Sequence, residues 1–249
     1  MKSSLIVLLT FAGAALAATD VRAQTAWRDN GWLSVNVGSQ GAPATFTGAT
    51  TFQTNLETGT VSTDYPIAAA RLFDVGGGAR LWRNLGVGVS VSYTTQNDDL
   101  EVTTTVPHPF FFNQLRTVTG QQPGVVRQET GAHVQAVWMI PATTHLQIGV
   151  FGGPSVIMVK QGIVRMVNVT ETYPYDSATF ASADTPAQSR NAVGFNAGVD
   201  GSYLFNERIG VGAVARFTRA RTTFALADGS TVRADLGGAQ LAAGLRVRF

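Results

Sequence analysis

Apolar and polar positions alternate along much of this chain. The clearest instance covers residues 85–93, where every odd position is apolar or aromatic and every even position is Gly or Ser. The stretch 241–249 alternates in the same way and ends on Phe249. Successive side chains of a β-strand point to opposite faces of the sheet. Each stretch therefore predicts a strand with one apolar face and one face of polar or small residues.

Eight stretches of this kind are predicted along the chain. They cover about residues 31–38, 67–82, 85–93, 128–140, 146–160, 193–203, 208–224 and 236–249. Short turns alternate with long segments predicted to be loops, at about 39–64, 96–127 and 161–189, with a shorter one at 225–235. In an antiparallel meander all short turns then lie at one end of the sheet and all long loops at the other, which is typical of outer-membrane barrels.

The distribution of polarity between the two faces distinguishes a membrane barrel from a soluble one. One face of nearly every predicted strand carries Gly, Ser, Asn, Asp and Arg, and the other face is apolar with few charges. A narrow barrel has room inside only for its own side chains, and a membrane barrel turns its apolar face to lipid. The sequence predicts an all-β, eight-stranded antiparallel up-and-down transmembrane β-barrel. Aromatic girdles are expected from Trp138, Tyr203, Phe205 and Phe249 near the short turns, and from Tyr93 and Phe217 near the long loops.

Composition and the first residues predict export. Charged residues make up 14% of the chain, below the roughly 25% of soluble domains. The first 17 residues have the positive start and short apolar core of a secretory signal. Cleavage is expected after Ala23, with Ala17 as a second candidate, so residues 1–23 are predicted as signal and 24–249 as barrel. The chain has no Cys, which excludes disulfides and an amino-terminal lipid on Cys. It has no Lys/Arg-rich run that would favour nucleic acid.

Charged side chains on the polar face predict a network inside the barrel. By parity this face includes Asp74, Arg80, Glu129, His133, Asp200, Arg216 and Arg246. An unpaired charge in a narrow, partly dry lumen would cost several kcal/mol, so these groups are expected to pair. A structural ion-pair plug is favoured over a proton path or a gated pore.

The predicted outer loops carry the residues that could contact a partner. They include His108, Phe110, Phe111 and Phe112 on one loop and Tyr173 and Tyr175 on another. Either these residues contact a host molecule, a phage or a lipid, or the loops simply pack over the barrel rim. None of the three His residues has a Ser two positions away, and they form no metal-ligand spacing. The sequence predicts no catalytic site, no metal and no cofactor.

The terminal stretch 244–249, with its final Phe249, resembles the closing strand of the small eight-stranded outer-membrane barrel family that includes OmpX, OmpW and the membrane domain of OmpA. The family often has an aromatic residue two positions before the end, where this chain has Val247. The resemblance implies a monomer in the outer membrane of a Gram-negative cell, with lipopolysaccharide as neighbour and Phe249 as a signal to the barrel-assembly machinery. It implies a structural or surface-interaction role, in adhesion or envelope integrity. A narrow pore for small solutes or ions is the alternative, and a lipid A-modifying enzyme is third.

Overall fold

The computed structural model describes residues 27–41 and 45–249. The predicted signal peptide and its cleavage sites lie outside these ranges. Twelve strands form the described part: β1 (Gly31–Gln40), β2 (Phe46–Thr54), β3 (Glu57–Tyr65), β4 (Ala70–Trp82), β5 (Leu85–Pro107), β6 (Leu115–Pro141), β7 (Leu146–Gly162), β8 (Met166–Glu171), β9 (Ala178–Asp184), β10 (Ala187–Leu204), β11 (Ile209–Ala225) and β12 (Thr231–Arg248). Over the described ranges, no helix has the length and apolarity needed to cross a membrane.

Eight of these strands form a closed antiparallel ring in the order β1, β4, β5, β6, β7, β10, β11 and β12. The ring closes where β12 pairs with β1, from Trp32 opposite Arg248 to Gln40 opposite Gln240. Closure leaves no free sheet edge in the wall. The predicted eight-stranded up-and-down barrel is therefore confirmed.

The wall of the barrel is taller than the sequence pattern predicted. Segment 39–64 contains the hairpin of β2 and β3, and β3 pairs with β5 over Thr60–Asp64. Segment 96–127 consists largely of the extended ends of β5 and β6, and segment 161–189 contains the β8–β9 hairpin. These segments were predicted as long loops, with the Thr-rich segment 39–64 able to extend strands past the membrane. The structure shows that they are mainly hydrogen-bonded strands, which continue the barrel beyond its apolar exterior.

The outer surface of the ring near the short turns is apolar. Its exposed side chains include Leu33, Val35, Phe73, Val75, Val87, Val89, Val91, Val134, Ile148, Val150, Val156, Val199, Val211, Leu241 and Leu245. The predicted girdle residues border this belt and are all exposed: Trp138, Tyr203, Phe205 and Phe249 at the short-turn end, Tyr93 and Phe217 at the other. A belt of this kind matches the lipid-facing surface of a membrane barrel.

The polarity of the wall inverts along the barrel axis. Even-numbered side chains of β5 face inward, and in the lower part they are Gly and Ser. In the upper part Leu100 and Val102 are buried inside, whereas Glu101 faces outward. On β11 the outward side changes from Phe217 to Arg219 within two residues. The lower half thus has the polarity of a membrane barrel, and the upper half that of a soluble one.

Two apolar clusters lie above and below the polar lumen. The upper cluster fills the extended wall and contains Phe46, Val61, Tyr65, Ile67, Leu100, Val102, Val125, Ile157, Val159, Ile163, Val164, Ala183, Ala192, Ala220, Phe224, Leu226, Ala234 and Leu236. The lower cluster extends from the short turns up to the level of the ion pairs and contains Trp27, Leu72, Val137, Met139, Phe151, Val214 and Ala242. The polar residues between them are consequently shielded from water at both ends.

Candidate functional site

Arg216 is the centre of the polar network in the lumen. Its guanidinium donates to Asp74 at 2.7 Å, to the Ser90 hydroxyl at 3.0 Å and to the Gln240 side-chain oxygen at 2.6 Å. Asn36 donates a further bond to Asp74 at 3.0 Å. All five side chains are buried. Such a pair is stable only when its remaining polar atoms are also satisfied, as they are around Asp74.

Two further ion pairs lie above and below this centre. Arg246 binds Asp200 and also donates to the Asn36 side-chain oxygen. Arg127 binds Glu129, with 2.6 Å between Nη2 and Oε1. Glu129 also accepts from Gln40 at 3.2 Å and from a backbone N–H of β12. The structure thus brings together four of the expected residues as two pairs, and it supplies Arg127 as the partner of a fifth.

Two of the expected lumen residues lie differently from the prediction. His133 is 2% exposed and its ring nitrogens lie 2.9 Å from the Ser92 hydroxyl and 2.8 Å from the Ser155 hydroxyl. It is therefore bound by hydroxyls and not by a carboxylate. Arg80 lies at the short-turn mouth, half-buried, and donates to the Trp27 carbonyl at 2.7 Å. It stands apart from the central network because the lower apolar cluster separates the two.

The contacts of His133 show why a search along one strand missed its serines. Ser155 is its register partner on β7, and Ser92 lies opposite Gly131 on the neighbouring strand β5. Both hydroxyls are buried in the lumen, on the face turned away from lipid. This arrangement resembles the atoms of a hydrolase, but it offers an acyl chain no approach. We interpret it as part of the packed lumen.

The short-turn mouth of the barrel is closed by the segment before β1. Trp27 is 1% exposed and its ring lies 5.4 Å from that of Trp32. Its indole N–H donates to Asp29 at 3.0 Å, and Asp29 also lies 3.4 Å from Arg248. Two cavities among the lumen side chains have volumes of about 50 and 10 Å³. The larger cavity can hold a few water molecules and the smaller at most one, and both lie between packed lumen side chains.

The loop between β5 and β6 presents three phenylalanines at the far end of the barrel. Phe110, Phe111 and Phe112 are 67%, 59% and 69% exposed. His108 was expected to belong to this contact surface, but it is buried. Its Nδ1 accepts the backbone N–H groups of Phe110 at 3.1 Å and Phe111 at 3.2 Å. His108 therefore shapes the turn, and the phenylalanines form its surface.

Three outer hairpins are joined beneath this turn. The buried guanidinium of Arg116 donates to the Tyr175 carbonyl at 2.8 Å and to the Pro107 carbonyl at 2.9 Å, and it binds Glu171. The β2–β3 turn joins the same point, because Asn55 donates to the Pro107 carbonyl at 3.2 Å. The β5–β6 and β8–β9 hairpins are thus fixed to each other and to β2–β3.

The aromatic side chains of this end form one group, which we term the aromatic tip: Phe110, Phe111, Phe112 and Tyr173. The rings of Phe110 and Tyr175 are 5.5 Å apart, and those of Tyr173 and Tyr175 are 6.1 Å apart. Tyr173 is exposed, whereas Tyr175 is half-buried and supports the others. A cluster of exposed aromatics on a supported loop can bind an apolar or aromatic partner.

In residues 27–41 and 45–249, no three His, Asp or Glu side chains are grouped so that they could bind a metal ion.

The Phe249 ring is 62% exposed on the outer face at the short-turn end. Its carboxyl oxygen accepts the backbone N–H groups of Asn30 and Gly31 at 2.7 and 2.8 Å. A role for Phe249 in assembly stays a prediction.

Comparison with known proteins gives structural matches only. No family model and no curated protein sequence matches the chain. Neisserial surface protein A is 12% identical with a TM-score of 0.42, and covers 88% of this chain and 97% of its own. OprG from Pseudomonas aeruginosa is 8% identical with a TM-score of 0.47, over 89% of this chain and 96% of its own. Ail of Yersinia pestis is 12% identical with a TM-score of 0.38, over 87% and 99%. The closed ring of eight strands, its apolar belt and its polar lumen make this chain an eight-stranded transmembrane β-barrel.

Proposed function

We propose that this protein is an outer-membrane barrel of a Gram-negative cell that binds a partner at the cell surface through its aromatic tip. In this proposal the chain is exported, assembled through its terminal strand, and inserted as a monomer beside lipopolysaccharide. The exposure of Phe110, Phe111 and Phe112 is the observation that carries it. Three adjacent phenylalanines in water favour burial against a partner, since each buried aromatic side chain contributes about 1.5–3 kcal/mol.

The support under the tip favours binding over simple packing of the loop. A loop that served only to cover the rim would turn its phenylalanines inward, toward the upper apolar cluster. Here that cluster is filled by other side chains, and the polar groups of His108 and Arg116 hold the turn so that its phenylalanines face outward. A preorganised loop loses less conformational entropy when it binds.

A pore for small solutes or ions is less well supported. Three ion pairs span the lumen, of which only Arg246–Asp200 is half-buried, and Trp27 and the upper apolar cluster lie at the two ends of the lumen. Conduction would require that side chains from all of these layers move together. A purely structural role in envelope integrity remains the alternative to binding, and the experiments below distinguish the two.

The first experiment tests location and orientation. The chain lacks Cys, so single cysteines can be introduced without background. We expect Phe111→Cys to react with a membrane-impermeant maleimide on intact cells, and Asn206→Cys, in a short turn, to react only after the cells are opened. Labelling of Asn206→Cys on intact cells would contradict the proposed orientation.

The second experiment tests binding by the aromatic tip. Cells that produce the protein are compared with cells that produce the Phe110→Ser/Phe111→Ser/Phe112→Ser variant for adherence to an epithelial cell layer and to octyl-coated beads. We expect the variant to lose adherence to at least one of the two surfaces. Phe205→Ser, which removes an exposed aromatic at the opposite rim, is the control and should adhere as the wild type does. Equal adherence of the wild type, the triple variant and Phe205→Ser would contradict binding by the aromatic tip and leave only the structural role.

A further inference from the structure

We propose that the outer face of β10, β11 and β12 is a binding site for a phosphate-bearing lipid of the outer leaflet. Four arginines would bind its phosphate groups, and an adjacent apolar groove would hold an acyl chain. The inference rests on the membrane location proposed above, but it is independent of the aromatic tip.

The arginines form a cluster above the apolar belt, in which Arg219 lies next to the belt and Arg233 about four residues, or about 13 Å, higher along the strand. Arg219 and Arg221 point outward from β11, and their side chains are 46% and 70% exposed. Arg233 faces outward on β12 as the register partner of Thr223. Arg190 of β10 reaches the same point, because its Nε donates to the Thr223 carbonyl at 3.3 Å. Three neighbouring strands thus direct guanidinium groups to one area of the surface.

One carboxylate lies within this cluster. Asp235 is 3.0 Å from Arg221 and 3.6 Å from Arg219. A single carboxylate shared between these two arginines leaves the area with a clear excess of positive charge. Exposed ion pairs of this kind contribute little to stability, so a phosphate can compete for the same guanidinium groups. Guanidinium binds phosphate through two parallel hydrogen bonds, which favours arginine over lysine in such a site.

The height of the cluster above the belt favours a lipid headgroup as its anionic ligand. Arg219 is two residues above Phe217, which contacts Phe195 at the upper border of the belt with 6.2 Å between ring centroids. This is the level at which phosphates of an outer leaflet lie, and basic groups at that level bind anionic headgroups. The opposite side of the barrel carries Asp64 and Glu101 facing outward instead. Arg71 on β4 and Lys160 on β7 also face outward near the upper border of the belt, but the group of four arginines lies on β10, β11 and β12.

A shallow apolar groove, open to the surroundings, lies below the cluster on β10, β11, β12 and the neighbouring β1. Its walls include Val37, Val199, Ala213, Ala215, Leu241 and Ala243. Ala213 and Ala243 are register partners, so their short side chains leave a depression between larger neighbours. Ala215 is four residues below Arg219, about 13 Å along the strand. One lipid can therefore place its phosphate at the arginines and an acyl chain in the groove.

The test measures lipid affinity of the refolded mature protein in dodecyl maltoside micelles. Bisphosphorylated lipid A is the probe, and phosphatidylcholine and inorganic pyrophosphate are the comparison ligands. We expect lipid A to bind at least about tenfold more tightly than phosphatidylcholine, and pyrophosphate to compete only weakly. The Arg219→Gln/Arg221→Gln/Arg233→Gln variant should lose this preference. Arg71→Gln/Arg165→Gln/Arg208→Gln removes the same charge from exposed positions elsewhere and should keep it.

A second variant tests the groove alone. Ala213→Phe/Ala243→Phe fills it while leaving every arginine in place, and we expect weaker lipid A binding with unchanged pyrophosphate binding. Equal lipid A affinity of the wild type and the first arginine variant would overturn the proposal. The proposal would also be overturned if pyrophosphate competed as well as lipid A does, because the site would then bind any phosphate anion. A groove variant that changes only self-association, and not lipid A binding, would overturn it too. Adherence of cells is a separate readout, so either proposal can fail without the other.

Discussion

Removal of the Arg216 guanidinium should strongly destabilise the barrel. In Arg216→Ala, Asp74 stays buried at 4% exposure and keeps only its bond from Asn36, while Ser90 and Gln240 each lose a partner. Breaking a buried ion pair by removing one member costs about 3–5 kcal/mol. With a urea dependence of about 2 kcal/mol per molar, the unfolding midpoint should fall by about 1.5–2.5 M.

A variant that removes both charges tests whether the loss comes from the unpaired carboxylate. Asp74→Asn/Arg216→Gln removes both charges while keeping hydrogen-bonding groups, and it should be more stable than Arg216→Ala. Arg219→Ala removes an exposed arginine from the same strand and should cost less than about 0.5 kcal/mol. Unfolding is followed in urea by gel mobility with and without boiling. An unchanged midpoint for Arg216→Ala, or a double variant as unstable as the single, would refute a stabilising charge pair in the lumen.

Three further predictions concern the two ends of the barrel. Trp27→Ala should cost about 3–5 kcal/mol, but planar-bilayer current should stay at the wild-type level because the ion pairs and the upper apolar cluster still fill the lumen; a clear rise in current would show that Trp27 alone closes it. Tyr65→Phe leaves the buried Val164 N–H without its 2.9 Å acceptor, and should lower the free energy of unfolding by about 1–3 kcal/mol, measured in urea. Hydrogen bonds from Ser230 lower the pKa of Asp228 to about 2, so the Thr51–Asp228 contact should be intact at neutral pH and weaken only as pH falls through that value. The amide shifts of Thr51 and Ser230 should therefore titrate near pH 2, and Asp228→Asn should abolish that titration.

The lumen could be predicted from sequence because parity within the belt is strict. Lipid admits only apolar side chains outside, so the alternate positions had to point inward, and Asp74, Arg216 and Arg246 were assigned on that ground. Arg127 was missed because it lies in a segment taken for a loop. Asn36 and Gln240 were missed because a search restricted to charged residues passes over amides, although both share the parity of the charged groups.

The upper half was not predicted because its exterior meets water and its interior is dry. Leu100, Val102 and Val106 alternate with Glu101 and Thr103 as regularly as the residues of the belt do. In that half, however, the apolar set points inward, so a search for apolar residues on the outer face finds none. The alternation along β5 could have revealed this half, because its even positions face inward throughout. Only the apolar and polar residues change places between the inner and outer faces.

The abrupt change from Phe217 to Arg219 also fixes how deep the barrel sits and which bilayers suit it. The two side chains are about 7 Å apart along β11. Sinking the barrel by that distance would draw Arg219 into the edge of the hydrocarbon, where the cost of a basic side chain rises from about 0–1 kcal/mol near the interface toward about 2–4 kcal/mol at the midplane. Raising it would expose the belt to water. A thicker membrane would have to become thinner around this belt. Because such hydrophobic mismatch costs free energy, the barrel is most stable in a bilayer whose hydrocarbon core matches the height of the belt.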